Sequence, residues 1–359
     1  MRARPLAVAF LAAALFGAAT PASKLLLSSF TPFQLAGILY LGAALGVLPA
    51  AWQRTGIRTL WRADRRNRLR LLGAIGFGGI AGPVLLLLGL RQGAAASVSL
   101  WLSSEIAATA LLGVLLFRDR LGSLGWAGVL VVFAATVLLS APEGNAGLAA
   151  GGLVVLACVC WGLDNHWTAL LDAIRPSESA LVKSLVAGAT NLAIGLALDP
   201  LQADPAQLLA ALFVGAWTYG VSMALYIAAA QGIGATRAQL AFASAPFFGV
   251  VLAVLALREP LHLVHVASGL LFLAGSGLLL LERHSHVHAH AALEHEHSHR
   301  HDDGHHDHTH AGMPASTRHT HRHRHEPLVH AHPHVPYLHH RHHHRHRADA
   351  APSEHPRAR

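Results

Sequence analysis

Charge and cysteine are the scarcest resources in this 359-residue sequence. Charged residues make up 13%, where a soluble domain carries about 25%. The only cysteines, Cys158 and Cys160, cannot build a disulfide framework. Residues two apart on a helix also diverge in direction, so this pair reads as small residues at a packed face. No Walker A motif is present, so ATP drive by this chain is not expected. No His-Glu-x-x-His and no nucleophile–base pair falls in the apolar stretches, so an enzyme is not expected. The net charge of +8 invites a nucleic-acid reading. That reading fails: no nucleic-acid-binding motif occurs, and the arginines outside the C-terminal region cluster beside apolar runs, as membrane anchoring requires.

What is abundant is apolar sequence, 53% of the chain, and it is unevenly spread. Residues 1–282 hold nearly all of it, while residues 283–359 hold 26 of the 29 histidines. The first part reads as an α-helical membrane body. Spans of roughly 20 residues are needed to cross about 30 Å of hydrocarbon. Ten fit, near 5–27, 33–51, 70–90, 94–117, 122–140, 149–171, 179–198, 208–230, 236–257 and 263–282. The tail cannot bury a core and is expected to be disordered.

Loop arginines orient the body. Arg54, Arg58, Arg62, Arg65, Arg66, Arg68 and Arg70 separate the second and third spans, so that loop is assigned to the cytoplasm. Arg2, Arg4, Arg118, Arg120, Arg175 and Arg237 fall on the same side, and Lys24, Arg91 and Arg258 are the exceptions on the other. An even span count puts both termini in the cytoplasm of a bacterial-type inner membrane. Residues 1–23 look like a secretory signal. The repeat described next needs them as a retained span.

The two halves match in order. Phe16-Gly17 pairs with Trp161-Gly162, Gln92-Gly93-Ala94-Ala95 with Gln231-Gly232-Ile233-Gly234, and Arg118-Asp119-Arg120-Leu121 with Arg258-Glu259-Pro260-Leu261. A five-span unit repeated once enters the membrane upside down the second time, a construction common among secondary transporters. The expected organisation is therefore residues 1–141 and 149–282 as two five-helix repeats, then the tail at 283–359.

Phe16-Gly17 with Lys24, Ser104-Glu105 running to Arg118-Asp119-Arg120-Leu121, and Ala245-Pro246 running to Arg258-Glu259-Pro260-Leu261 resemble the EamA-type drug/metabolite transporter superfamily. Trp161-Gly162-Leu163-Asp164-Asn165 and the tail's Arg324-His325-Glu326-Pro327-Leu328 resemble a subgroup with histidine-rich C-terminal tails. Two positions depart from that subgroup: His166-Trp167-Thr168 stands where Asn-Leu-Thr is usual, and Val335-Pro336-Tyr337-Leu338 lacks an expected Asp. The resemblance implies ten helices and transport, commonly export of small organic solutes.

Ionisable groups at membrane depth are costly and mark functional candidates. Glu105, inside the fourth span, is a candidate proton carrier or ligand for a cationic substrate, because burial disfavours a charged carboxyl. Asp164, Asn165 and His166 form a second cluster in the sixth span, read as substrate contact, as a gate or as a helix–helix hydrogen bond. A Cys160–Asp164–His166 metal site lacks a full ligand set. Lys183 either pairs with Asp164 or snorkels to the interface, and snorkelling is favoured. Lys24 either neutralises an anionic substrate or anchors its helix. Asn191, Tyr219 and Tyr226 are weaker candidates. Trp52, Trp61 and Tyr40 are expected at the interfaces, and His262 and His265 in a solvated loop.

The tail alternates histidine with other residues: His284, His286, His288 and His290, then His295, His297, His299 and His301, with His305, His306, His308 and His310 beyond. Neutral imidazole ligates Zn²⁺, Ni²⁺, Co²⁺ and Cu²⁺, so divalent metal binding is expected there. A drifted low-complexity extension and a pH-responsive polycation are the alternatives. No cofactor is required. The expected partners are a small-molecule substrate and the lipid bilayer, with metal ions on the tail; a homodimer is compatible. Three functions follow: export of a small metabolite by alternating access, export of a divalent cation collected by the tail, or metal sensing by a bundle that does not transport.

Overall fold

The computed structural model describes residues 3–52, 63–117, 121–140, 144–171, 174, 176–233, 235–281 and four tail segments within 284–334. The chain divides into residues 1–282 and residues 283–359.

Among the described residues of the first unit, nine helices are long and apolar enough to cross a membrane. They are α1 (Arg4–Leu26), α2 (Pro32–Ala51), α3 (Arg65–Gln92), α4 (Ala95–Phe117), α5 (Ser123–Ser140), α6 (Asn145–Ala169), α7 (Pro176–Leu198), α8 (Pro205–Ala230) and α10 (Leu263–Leu281). Ala235–Phe242 and Ala245–Leu257 together form the tenth, α9. The arginines expected in a loop before residue 70 are in part helical, since α3 already starts at Arg65.

Short polar caps start these helices. Asp64 accepts the Asn67 backbone N–H at 2.9 Å and opens α3; the two hydrogen bonds from Asn67 hold its carboxyl below the usual carboxylate range. Thr31 and Gln34 at α2, and Asp204 and Gln207 at α8, each exchange side-chain and backbone hydrogen bonds reciprocally. These caps satisfy N–H groups that have no partner within the helix.

Irregularities recur at equivalent places in the two halves. α4 breaks between Trp101 and Ser104, and α9 breaks between Phe242 and Ala245. α3 contains a π-helical turn at Ile75–Ala81, and α8 contains one at Gly215–Val221. Packing repeats as well: α2 lies on α7 and α5 on α10, each helix against its counterpart, while α3 with α6 answers α1 with α8.

Glycines set the closest approaches. A Cβ at Gly37 would lie 2.5 Å from the Leu192 backbone nitrogen, so α2 and α7 touch backbone to backbone. Gly17 presses on Ala245 and Gly249 of α9, and Gly162 presses on Thr109 of α4. This gives a physical reason for the Phe-Gly/Trp-Gly match: each glycine admits the second half of a broken helix. Small residues serve this purpose in lipid, where apolar burial alone does not drive association. Large apolar side chains such as Phe133 and Leu255 are exposed on the outside of the bundle, as a lipid-facing surface requires.

In the second unit, β1 (His284–His290) pairs antiparallel with β4 (Leu328–His334), and β2 (Leu293–His299) with β3 (His319–His325). The tail was expected to be disordered; its four described segments form two separate two-stranded ladders, and an isolated two-stranded pairing is at best marginally stable in water. His301, His305, His306, His308 and His310 lie outside the described residues.

Candidate functional site

The break in α4 places Glu105 in the first turn of that helix's second half. There it meets α6. Asn165 Nδ2 donates to Glu105 Oε1 at 2.8 Å and reaches Thr109 Oγ1 at 3.4 Å. Asn165 is exposed although it lies within an apolar span. His166 Nε2 is 2.9 Å from the Thr109 carbonyl oxygen. A carbonyl only accepts, so Nε2 carries the proton. The imidazole ring stacks on Phe117 at 4.2 Å.

Asp164, one residue earlier, points away from α4 toward α3 and α7. Its carboxylate accepts Lys183 Nζ at 2.6 Å and Thr168 Oγ1 at 2.8 Å. Lys183 therefore pairs with Asp164, and the expectation of snorkelling is corrected. The reason is Gly78 of α3. A side chain there would occupy the space of the Asp164 carboxylate, so the bare backbone lets the pair form inside the bundle.

The π turn of α3 supplies acceptors. Widening the helix ladder frees carbonyl groups, and side chains take them up. Gly78 O accepts Tyr40 OH at 2.9 Å and Trp161 Nε1 at 3.0 Å, and Gly79 O accepts Asn191 Nδ2 at 3.2 Å. Tyr40 is thus an interior residue, not the interface marker its sequence position suggested. Its ring lies 6.1 Å from that of Tyr219, which sits in the π turn of α8. From Tyr219 an aromatic series continues to Phe16 at 5.7 Å, Phe242 at 5.2 Å and Tyr226 at 4.9 Å. A polar cluster on α3, α4, α6 and α7 is therefore joined through Tyr40 to an aromatic series on α1, α8 and α9.

The two ends of the bundle differ. At one end the first half of α4, Ala95–Trp101, is buried along its whole length. The turn before it is held by Lys24, whose Nζ donates to Leu90 O at 2.7 Å and Gly93 O at 2.8 Å. Lys24 is thus engaged by the end of α3, far along the chain from the Glu105 cluster. At the same end Glu259 accepts the backbone N–H groups of Ala95 and Ala96, both at 2.8 Å. His265 is buried against Ser97, which corrects its placement in a solvated loop; His262 is exposed. Toward the other end, Asn165 and Gln239 are exposed.

Among the described residues, no three His, Cys, Asp or Glu side chains come together as a metal group. Cys158 is buried, with its thiol 3.8 Å from Trp101 O and 3.9 Å from Leu102 O at the α4 break. Sequence reasoning passed over Thr109, met Thr168 only as part of a motif and placed Tyr40 at an interface, because nothing in an isolated span says which helix it will face. Trp161 and Glu259 were visible as motif residues, without their roles.

An inverted pair of five-helix repeats with broken helices and buried polar groups defines the architecture of a membrane transporter. The EamA-like transporter family matches residues 4–141 and 149–281, and the chain belongs to that family. An uncharacterized transporter of Methanothermobacter thermautotrophicus is 30% identical over 286 residues, spanning 74% of this chain and 82% of that protein. A solved crystal structure shares the fold with a TM-score of 0.54 at 19% identity, covering 78% of this chain and 98% of that one.

Proposed function

We propose that this transporter exports a small organic solute across a bacterial-type inner membrane by alternating access, with both termini in the cytoplasm. One observation carries the reading: an exposed Asn165 at membrane depth donates to Glu105, while the half of α4 that precedes Glu105, Ala95–Trp101, is buried along its whole length. Glu105 serves as the substrate or coupling carboxyl. Asp164, Lys183 and Thr168 shape the wall beside it, and Lys24 acts at the opposite end. Comparing the media of overexpressing and deleted cells by mass spectrometry tests this. A small solute enriched outside overexpressing cells and depleted outside deleted cells is expected; no solute that follows gene dosage would defeat export.

The tail carries a separate proposal, divalent metal binding through its alternating histidines. It is a property of the tail and is independent of what the body transports.

A further inference from the structure

The turn between α3 and α4 is held from three separate places. Lys24 of α1 takes the carbonyls of Leu90 and Gly93. Glu259, between α9 and α10, takes the next two amides, Ala95 and Ala96. His265 of α10 meets the Ser97 hydroxyl through Nε2 at 3.2 Å. Residues 90–97 are thus gripped almost continuously by ionisable side chains from other elements. The position equivalent to Lys24 in the second half, counted from Gly162 as Lys24 is from Gly17, is Ala169, so this grip is not duplicated in full at the other end.

The protonation state of His265 follows from its partners. The His262 backbone N–H donates to His265 Nδ1 at 3.2 Å. Nδ1 is therefore an unprotonated acceptor, and Nε2 carries the hydrogen that Ser97 Oγ receives. A second proton would bind at Nδ1, directly against the N–H that now donates to it. The ionisable groups around it are Glu259 and His262 on the α9–α10 connection, with the His262 ring centroid at 5.7 Å, and Lys24 across the turn. Arg91 and Arg258 are exposed. α5, which packs on α10, and the first half of α4 contain no titratable residue, while the second half of α4, which also packs on α10, carries Glu105.

We propose that Glu259 and His265 form a proton-sensitive latch that holds the first half of α4 and keeps this end of the pathway shut, so that alternation requires its release. Both are positioning residues, acting through α4 and not on the solute. With both termini in the cytoplasm, as proposed above, this is the outer end.

The test uses full-length protein carrying Cys158→Ser, Cys160→Ser and the reporter Ser99→Cys. Vesicles of both orientations are treated with a membrane-impermeant maleimide, and rates are scaled to those of unfolded protein at the same pH. With the latch intact, Ser99→Cys is protected at about pH 8, and lowering the pH to about 5, across the range where histidine changes charge, speeds labelling. Glu259→Gln should label roughly tenfold faster at the higher pH, since hydrogen bonds to a charged group are lost. His265→Gln should remain protected at both. Glu259→Asp, which keeps the charge, reports on the latch if Glu259→Gln does not fold. Equal rates in the parent and the Glu259 variant, or an acid response that persists in His265→Gln, would overturn the latch. Labelling from the opposite face with these differences intact would instead reverse the topology and leave the latch standing.

Discussion

At the residue scale the pathway rests on two adjacent side chains of α6 that face different neighbours. Asn165 is committed to Glu105 and Asp164 to Lys183. Removing one member of a buried ion pair leaves an uncompensated charge and costs about 3–5 kcal/mol, whereas removing both is far milder. Asp164→Asn and Lys183→Met should therefore each lower the unfolding temperature in detergent, and the double variant should recover most of that loss. A double variant as unstable as the two losses added would show that the residues do not act as a pair. Glu105, Asp164 and Asn165 were readable as candidates because polar residues are rare in these spans. Their partners were not readable. The Lys183 pairing depends on the missing side chain of Gly78, and the role of Tyr40 depends on carbonyls freed by a π turn that composition does not announce. His265 was misread as a solvated loop residue although the expected tenth span began at 263, because nothing in the span says that its first turn packs on Ser97 of α4.

At the element scale the working parts are the interrupted helices. α4 and α9 break at matched positions, and the second half of each is approached by a glycine of the opposite half, Gly162 at Thr109 of α4 and Gly17 at Ala245 and Gly249 of α9. A Cβ at Gly249 would lie 2.6 Å from Ser99 Oγ and 3.0 Å from Gly17 O, so α1, α4 and α9 cross there without room for a side chain. Gly249→Val should cost about 1–3 kcal/mol through overpacking and slow transport. Thermal unfolding in detergent beside an uptake assay checks this, and an unchanged melting temperature would show that the crossing tolerates separation. The ten spans and their repeat could be read from hydropathy and from three ordered motif matches. The breaks and π turns could not, because within apolar sequence a distorted turn costs little once neighbouring side chains satisfy the freed backbone groups. The caps at Thr31–Gln34, Asp64–Asn67 and Asp204–Gln207, unused in placing the spans from sequence, fix the starts of α2, α3 and α8 at residues 32, 65 and 205, where hydropathy set them at 33, 70 and 208.

At the scale of the whole molecule the membrane body and the histidine tail separate both in composition and as compact units. The body alone accounts for the proposed transport. Truncation after Glu282 should leave transport intact at low metal and remove divalent metal binding, read by titration calorimetry of full-length and truncated protein with Zn²⁺ and Ni²⁺. Equal metal binding by both forms would remove the tail from that role. The central claim is that Glu105 couples movement of a solute to the state of this carboxyl. The most direct measurement is transport in proteoliposomes, under an imposed pH gradient, of the solute found by comparing media, with the parent protein beside Glu105→Gln. The account predicts that the parent moves the solute against its own gradient and that Glu105→Gln does not. Equal gradient-driven transport by both proteins would contradict it.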